Sequence, residues 1–187
     1  MIKKLHALRA KKGFTLVELI VVIAIIGVLA AILVPTMMGM VTKSRVTSVD
    51  QTAGTIKTSV ERWMMNLDTE GGKVPATATV TLEVASGAVT VGGADSFKRA
   101  NGNAADPMLK EQVEGDYNFG TKQAHAVVYI ADRKVVGVVY YEGAATSDPI
   151  PVATDFTTNG YFDWAGSQDG ILGDGTTIGT NPKLIHS

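Results

Sequence analysis

From Leu19 to Val41 the chain runs for 23 residues without one charged side chain. Coiled as a helix, such a run spans about 35 Å, enough to cross a hydrocarbon layer of ~30 Å. The segment before it is basic: Lys3, Lys4, Arg9, Lys11 and Lys12 lie within residues 1–13, with no acid among them. Positive charge on that side predicts that the N-terminal end stays in the cytoplasm and that the remainder faces outward. One carboxylate, Glu18, stands just inside the apolar boundary. An ionisable group at such a depth is costly, so it calls for a partner and a function.

The 187 residues suffice for one membrane segment and one modest soluble domain. Outside the leader, 12 basic and 18 acidic side chains leave the body at −6, which argues against nucleic acid as a partner. The absence of cysteine excludes disulfides, thiolate metal sites and Fe–S clusters. The histidines, His6, His125 and His186, belong to no H-E-x-x-H, and neither a nucleophile elbow nor a Walker loop is present. No enzyme and no cofactor are expected.

The apolar run continues into an amphipathic helix. Val46, Val49, Ala53, Ile56, Val60, Trp63 and Leu67 recur at alternating spacings of three and four, while Lys43, Arg45, Asp50, Lys57, Glu61 and Arg62 fill the other faces. Thr69-Glu70-Gly71-Gly72 supplies a stop. One helix is therefore expected from Phe14 to about Asn66, with a first half apolar all round and a second half with one face to bury. Trp63, Met64 and Met65 fall to that core or to subunit contacts. Pro35 removes a helical hydrogen bond and predicts a kink or loosened turn. Gly27 either lets helices pack closely or is a tolerated small residue.

Beyond the helix the pattern turns to β. Thr77–Val84 alternates, Ser86-Gly87 reads as a turn, and Ala88–Val91 as a return strand. Residues 92–111 read as loop. Ala124–Ala131 and Val135–Glu142 flank Asp132-Arg133-Lys134 as a hairpin rich in β-branched and aromatic residues. Tyr161, Phe162 and Trp164 are candidate anchors for the C-terminal part, and Gly170–Asn181 reads as open loop. The fold class is α+β: a long N-terminal helix whose outer half packs on a small antiparallel sheet.

Gly13-Phe14-Thr15-Leu16-Val17-Glu18-Leu19-Ile20, preceded by Lys11-Lys12 and followed by Gly27 and Pro35, resembles the type IV pilin and pseudopilin family. The resemblance is carried by residues 9–45, and beyond them by architecture alone. It implies a leader, residues 1–13, removed by a prepilin peptidase that cuts after Gly13 and methylates Phe14 to N-methylphenylalanine. It further implies a membrane and assembly helix over residues 14–41, and an extracytoplasmic head over 42–187 whose helical part ends near 67. Glu18 and Pro35 then hold the family's fifth and twenty-second mature positions. Many pilins staple the C-terminal loop with a cysteine pair; its absence here fits a source whose pilins omit it, such as a Gram-positive bacterium. Type II pseudopilins bind calcium near the C-terminus, which makes Asp163, Asp169 and Asp174 candidates. Their spacing matches no EF-hand, and solvated loop acids are the preferred reading.

The physical reading of Glu18 stands beside the resemblance. A cut after Gly13 frees an amine on Phe14, one helical turn from Glu18. In an apolar medium either charge alone is costly, and pairing lowers the cost, whether within one copy or between neighbours. A pair between copies would favour one axial register, which apolar packing distinguishes poorly. Small Gly13 lets the backbone enter a protease cleft, with Lys11 and Lys12 holding it at the headgroup layer. An ordinary secretory signal is a poorer fit, because the apolar run is too long and the small residue precedes it. The expected function is a structural filament subunit, held in the cytoplasmic membrane before assembly and on the cell surface afterwards. Its partners are copies of itself, the peptidase, an assembly ATPase and its platform. The alternatives are a type II secretion pseudopilin or minor pilin and, in a different class, a membrane-anchored monomeric adhesin.

Overall fold

The computed structural model describes residues 14–164 and 169–186. The chain divides after Thr42 into two units, and helix α1 (Leu16–Thr69) supplies residues to both. In the first unit every side chain from Phe14 to Val41 is exposed, as expected for a helix apolar all round. The helix runs through Pro35 without a break. The Thr36 hydroxyl donates to the Leu33 carbonyl at 2.8 Å, one of several threonines that bond back to the preceding turn.

In the second unit the seven residues of the predicted stripe, Val46 through Leu67, are all buried. They face a five-stranded antiparallel sheet in the order β2-β1-β3-β4-β6, built from β1 (Ala78–Ala85), β2 (Ala88–Gly92), β3 (Ala124–Ala131), β4 (Lys134–Glu142) and β6 (Ile178–Asn181). A short parallel pair, β5 (Tyr161–Phe162) with β7 (Ile185–His186), lies outside it. The helix ends as its sequence requires. Gly71 adopts φ 76°, and the Gly72 N–H returns to the Leu67 carbonyl at 2.9 Å. Both hairpin turns take two residues at positive φ, Ser86-Gly87 and Asp132-Arg133, the twist that matches two-residue loops. Lys134 therefore belongs to β4 rather than to the turn.

The sheet is buried on both faces at its centre. On the helix side Val80, Leu82, Val84, Ala126, Val128, Ile130, Val138 and Tyr140 join the α1 stripe in the main core. On the other side Tyr129, Val139, Tyr141 and Ile178 lie beneath the C-terminal segment, which contributes Trp164, Leu172 and Leu184. Double burial is why β3 and β4 read as almost continuous apolar runs, whereas β1, with one face open, alternates.

Two expectations are corrected. Residues 92–111 are not all loop: helix α2 (Asp106–Asp116) begins there, with Pro107 in its first turn and Leu109 and Val113 buried. Gly170–Asn181 is not open loop either, since Ile178–Asn181 forms the edge strand β6 against β4. Its place depends on a close approach. A Cβ on Gly179 would lie 2.5 Å from the Asp50 nitrogen and nearer still to the Val49 carbonyl, so the strand seats directly on the helix backbone. Of the aromatic anchors, Trp164 is buried with Phe162 against its edge at 5.0 Å, while Tyr161 is exposed. Trp63 and Met64 enter the core; Met65 does not.

Candidate assembly site

Thr15-Leu16-Val17-Glu18 opens α1 as a reciprocal cap. The Glu18 N–H donates to the Thr15 hydroxyl oxygen at 3.2 Å. In return, the Thr15 N–H and the Thr15 hydroxyl both donate to Glu18 Oε2, each at 2.8 Å. The two side chains thereby satisfy two backbone donors at the start of the helix, the carboxylate that of Thr15 and the hydroxyl that of Glu18. The carboxylate also sits at the end of the helix where negative charge is favoured. Both bonds to the carboxylate go to one oxygen; Oε1 accepts none among the described residues. Phe14, immediately before the cap, is exposed.

Downstream of Glu18 the helix is long and apolar enough to cross a membrane, and none of that stretch is buried. The exposed side chains are large and aliphatic, among them Leu19, Ile23, Ile26, Leu33 and Met37. Such a surface needs lipid or other copies of the same helix to cover it. Gly13, Lys11 and Lys12 lie outside the described residues. Pro35 lies on the exposed helix.

Thr15 is absent from the expected site residues, although T-x-x-E before an apolar run is a legible cap signature. Asp116, by contrast, had no local signal. At the end of α2 it accepts from the Ser59 hydroxyl at 2.7 Å, Gln112 at 2.8 Å and Arg62 at 2.8 Å, so it ties α2 to α1. The Ser59 and Gln112 bonds hold its carboxyl below the usual range, with Arg62 adding to them. Lys122 and Glu142 pair at 2.8 Å, which raises the Lys122 ammonium. Burial, and then the neighbouring Glu142, push the Tyr140 phenol well above its ordinary value.

Among the described residues no three acidic or histidine side chains gather where they would hold a metal ion. Asp174 engages its oxygens in fastening two loops. It accepts from the Thr176 N–H at 2.7 Å and the Thr146 hydroxyl at 2.7 Å, and its own N–H donates to Asp148 at 2.8 Å. The bonds from Thr176 and Thr146 hold its carboxyl below the usual range. Asp163 and Asp169 make no hydrogen bond with it.

The family model for the prokaryotic N-terminal methylation motif matches residues 8–34. Over 136 residues the chain is 37% identical to a type IV major fimbrial protein, FimA, of Dichelobacter nodosus, covering 73% of this chain and 76% of that protein. It is 32% identical over 124 residues to fimbrial protein Q of Moraxella bovis, covering 57% of this chain and 78% of the relative. With the type IV major alpha-pilin of Moraxella bovis identity reaches 48%, but over 54 residues, a third of that protein's length. These relatives lend no support to a Gram-positive source. No solved structure matches the chain.

Proposed function

The chain belongs to the type IV pilin family, and from that premise we propose that it is a pilus structural subunit, cut after Gly13, N-methylated on Phe14 and aligned in the filament by Glu18. The observation that carries the reading is the junction of a capped carboxylate with an uncovered apolar helix. Before assembly that helix anchors the protein in the membrane, where lipid covers it. Afterwards the same side chains meet neighbouring copies in the filament on the cell surface. The relatives are named as major fimbrial proteins, which favours a pilus over a secretion pseudopilin.

In this reading the two Glu18 oxygens take different tasks. Oε2 is held by Thr15 and fixes the carboxylate against the first turn. Oε1 is left to accept from the methylated amine that cleavage creates on Phe14 of a neighbouring copy. Away from water such a charge-assisted bond is strong, and an unmatched register leaves two unpaired charges. Register is thereby selected at the one charged side chain of an apolar bundle. Pro35, without its N–H, marks where the helix yields most readily when it passes from bilayer to filament. The peptidase reads Lys11, Lys12 and Gly13, and an assembly ATPase with its platform drives extraction.

Mass spectrometry of the N-terminus of sheared surface filaments tests the whole reading. The expected species begins at Phe14 and carries one extra methyl group. Filaments lacking the chain, or containing it uncut, would refute it.

A further inference from the structure

A helical filament repeats a heterologous contact, so each copy must present two different surfaces that fit one another. In the unit Lys43–Ser187 just four large apolar side chains are exposed among the described residues: Met65, Val152, Tyr161 and Ile185. Three of the four fall in two patches. Met65, 68% exposed, lines an open groove of about 550 Å³ together with Met64, Val74 and Val135, between the end of α1 and the β3–β4 turn. Tyr161 and Ile185, 46% and 59% exposed, are direct register partners in the small parallel sheet and form an exposed apolar pair. One patch lines a groove and the other is an exposed pair.

Charge distinguishes the two surfaces as well. On the groove rim Asp68 is bound to Arg133 and Glu61 to Lys57, whereas Lys134 has no acidic partner among the described residues. Just past β5, two residues along from Tyr161 and exposed like it, stands Asp163, which likewise has no basic partner among the described residues. Methionine suits such a groove because its unbranched, polarisable side chain adapts to the shape it receives and packs well on an aromatic ring.

We propose that in the pilus the Tyr161–Ile185 pair of one copy seats in the Met64–Met65–Val74 groove of a neighbouring copy, with Lys134 on the rim meeting Asp163 beside the pair. The inference rests on the subunit reading above. It adds to the helix bundle a contact between heads that couples the C-terminal segment of one copy to the end of α1 in the next. Covering both patches buries three of the four large apolar side chains that the head otherwise leaves in water.

The absence of cysteine makes the test direct. Full-length protein carrying Met65→Cys and Ile185→Cys is expressed in the pilus-forming cell, and sheared filaments are oxidised with copper phenanthroline and run on a non-reducing gel. A disulfide requires Cα atoms within about 7 Å, so only true neighbours cross-link. The expected result is a ladder of dimers, trimers and longer products from the double variant, with monomers from each single variant. Filaments that form but give no ladder overturn the proposal and leave the subunit reading standing. Dimers from Met65→Cys alone overturn it by showing a like-with-like contact. If wild-type protein gives no filaments, the subunit reading fails and the proposal with it. Should the cysteine pair itself stop assembly, Lys134→Glu and Asp163→Lys decide. Each alone lowers filament yield several-fold and the two together restore it, and a double swap that recovers nothing overturns the pairing.

Discussion

Gly179→Ala is a one-methyl test of how the C-terminal strand is held. The new Cβ would stand 2.5 Å from the Asp50 nitrogen, and the atoms it meets, those of Val49 and Asp50, are backbone. Ordinary carbon contact begins near 3.5 Å, so β6 must retreat from α1 by about 1 Å or more. That retreat stretches the bond from the Thr180 N–H to Asp50 Oδ1, now 3.0 Å, and the Lys183–Asp50 pair, now 3.3 Å. Overpacking costs about 1–3 kcal/mol and a lost bond to a charged acceptor about 1.5–3 kcal/mol. About 3 kcal/mol in a unit of this size lowers Tm by roughly 6–12 °C. The assay is built in, since the two tryptophans, Trp63 and Trp164, are both buried in the unit concerned, one on each side of the sheet. Their fluorescence reports melting of full-length protein in detergent without signal from the apolar helix. Gly115→Ala is the control of opposite sign, because a Cβ there meets nothing within 4 Å. Replacing a helical glycine stabilises by about 0.4–1 kcal/mol, so Tm should rise by roughly 1–4 °C. A Gly179→Ala protein melting within a degree of wild type would refute the close-approach argument.

Glu18→Ala should be cut and methylated normally yet lower filament yield by at least about a hundredfold, the equivalent of the ~3 kcal/mol lost when a buried pair loses one partner; comparing cell-associated with sheared pilin on a gel checks it. Thr15→Val removes the hydroxyl that both gives to and accepts from Glu18, at a cost of about 1 kcal/mol for a lost cap, so yield should fall about fivefold with cleavage intact. Gly13→Leu should leave only leader-length protein; mature-length product would remove Gly13 from the processing site. Asp116 has a folded pKa below its ordinary value of 3.8, so the stability it contributes is present above that value and is lost as pH falls through the lower folded one. Tryptophan-monitored melting from about pH 6 down to about pH 2 should accordingly show a steeper loss for wild type than for Asp116→Asn, and parallel curves would remove Asp116 from the acid response.

What could be read from the residues divides by the range over which the signal acts. The α1 stripe was legible because a 3.6-residue period repeated through seven positions admits few other readings. The β3–β4 hairpin was legible because strand propensity and turn agree, even though Asp132-Arg133 is not the usual glycine-containing pair. Helix α2 was not, since 11 residues with two buried apolar side chains fall below what periodicity resolves. Ile178–Asn181 has only one large apolar side chain. It is a strand because Gly179 fits the helix backbone, a fact that exists only once helix and strand have met. The candidate assembly site divides in the same way. Glu18 was conspicuous as a charge beside an apolar run, and Thr15 was recoverable from T-x-x-E. The role of Asp116 required Ser59, 57 positions away.

The same contacts account for a C-terminal segment that holds without a disulfide. A cross-link closing a loop of this order contributes about 3–4 kcal/mol, chiefly by restricting the unfolded chain. Here the restraint is spread over several places. Asp50 holds Thr180 and Lys183 against α1, Asp148 and Asp174 tie two loops together, and the Tyr129 hydroxyl donates to the Pro151 carbonyl at 2.9 Å from the opposite face of the sheet. At about 1 kcal/mol net for each bond, with Trp164, Leu172 and Leu184 buried besides, the sum reaches the same order. A covalent staple acts on the unfolded state and does not depend on fit. These fastenings act on the folded state and do depend on it. The segment that replaces the staple is therefore sensitive to a single added methyl group at Gly179.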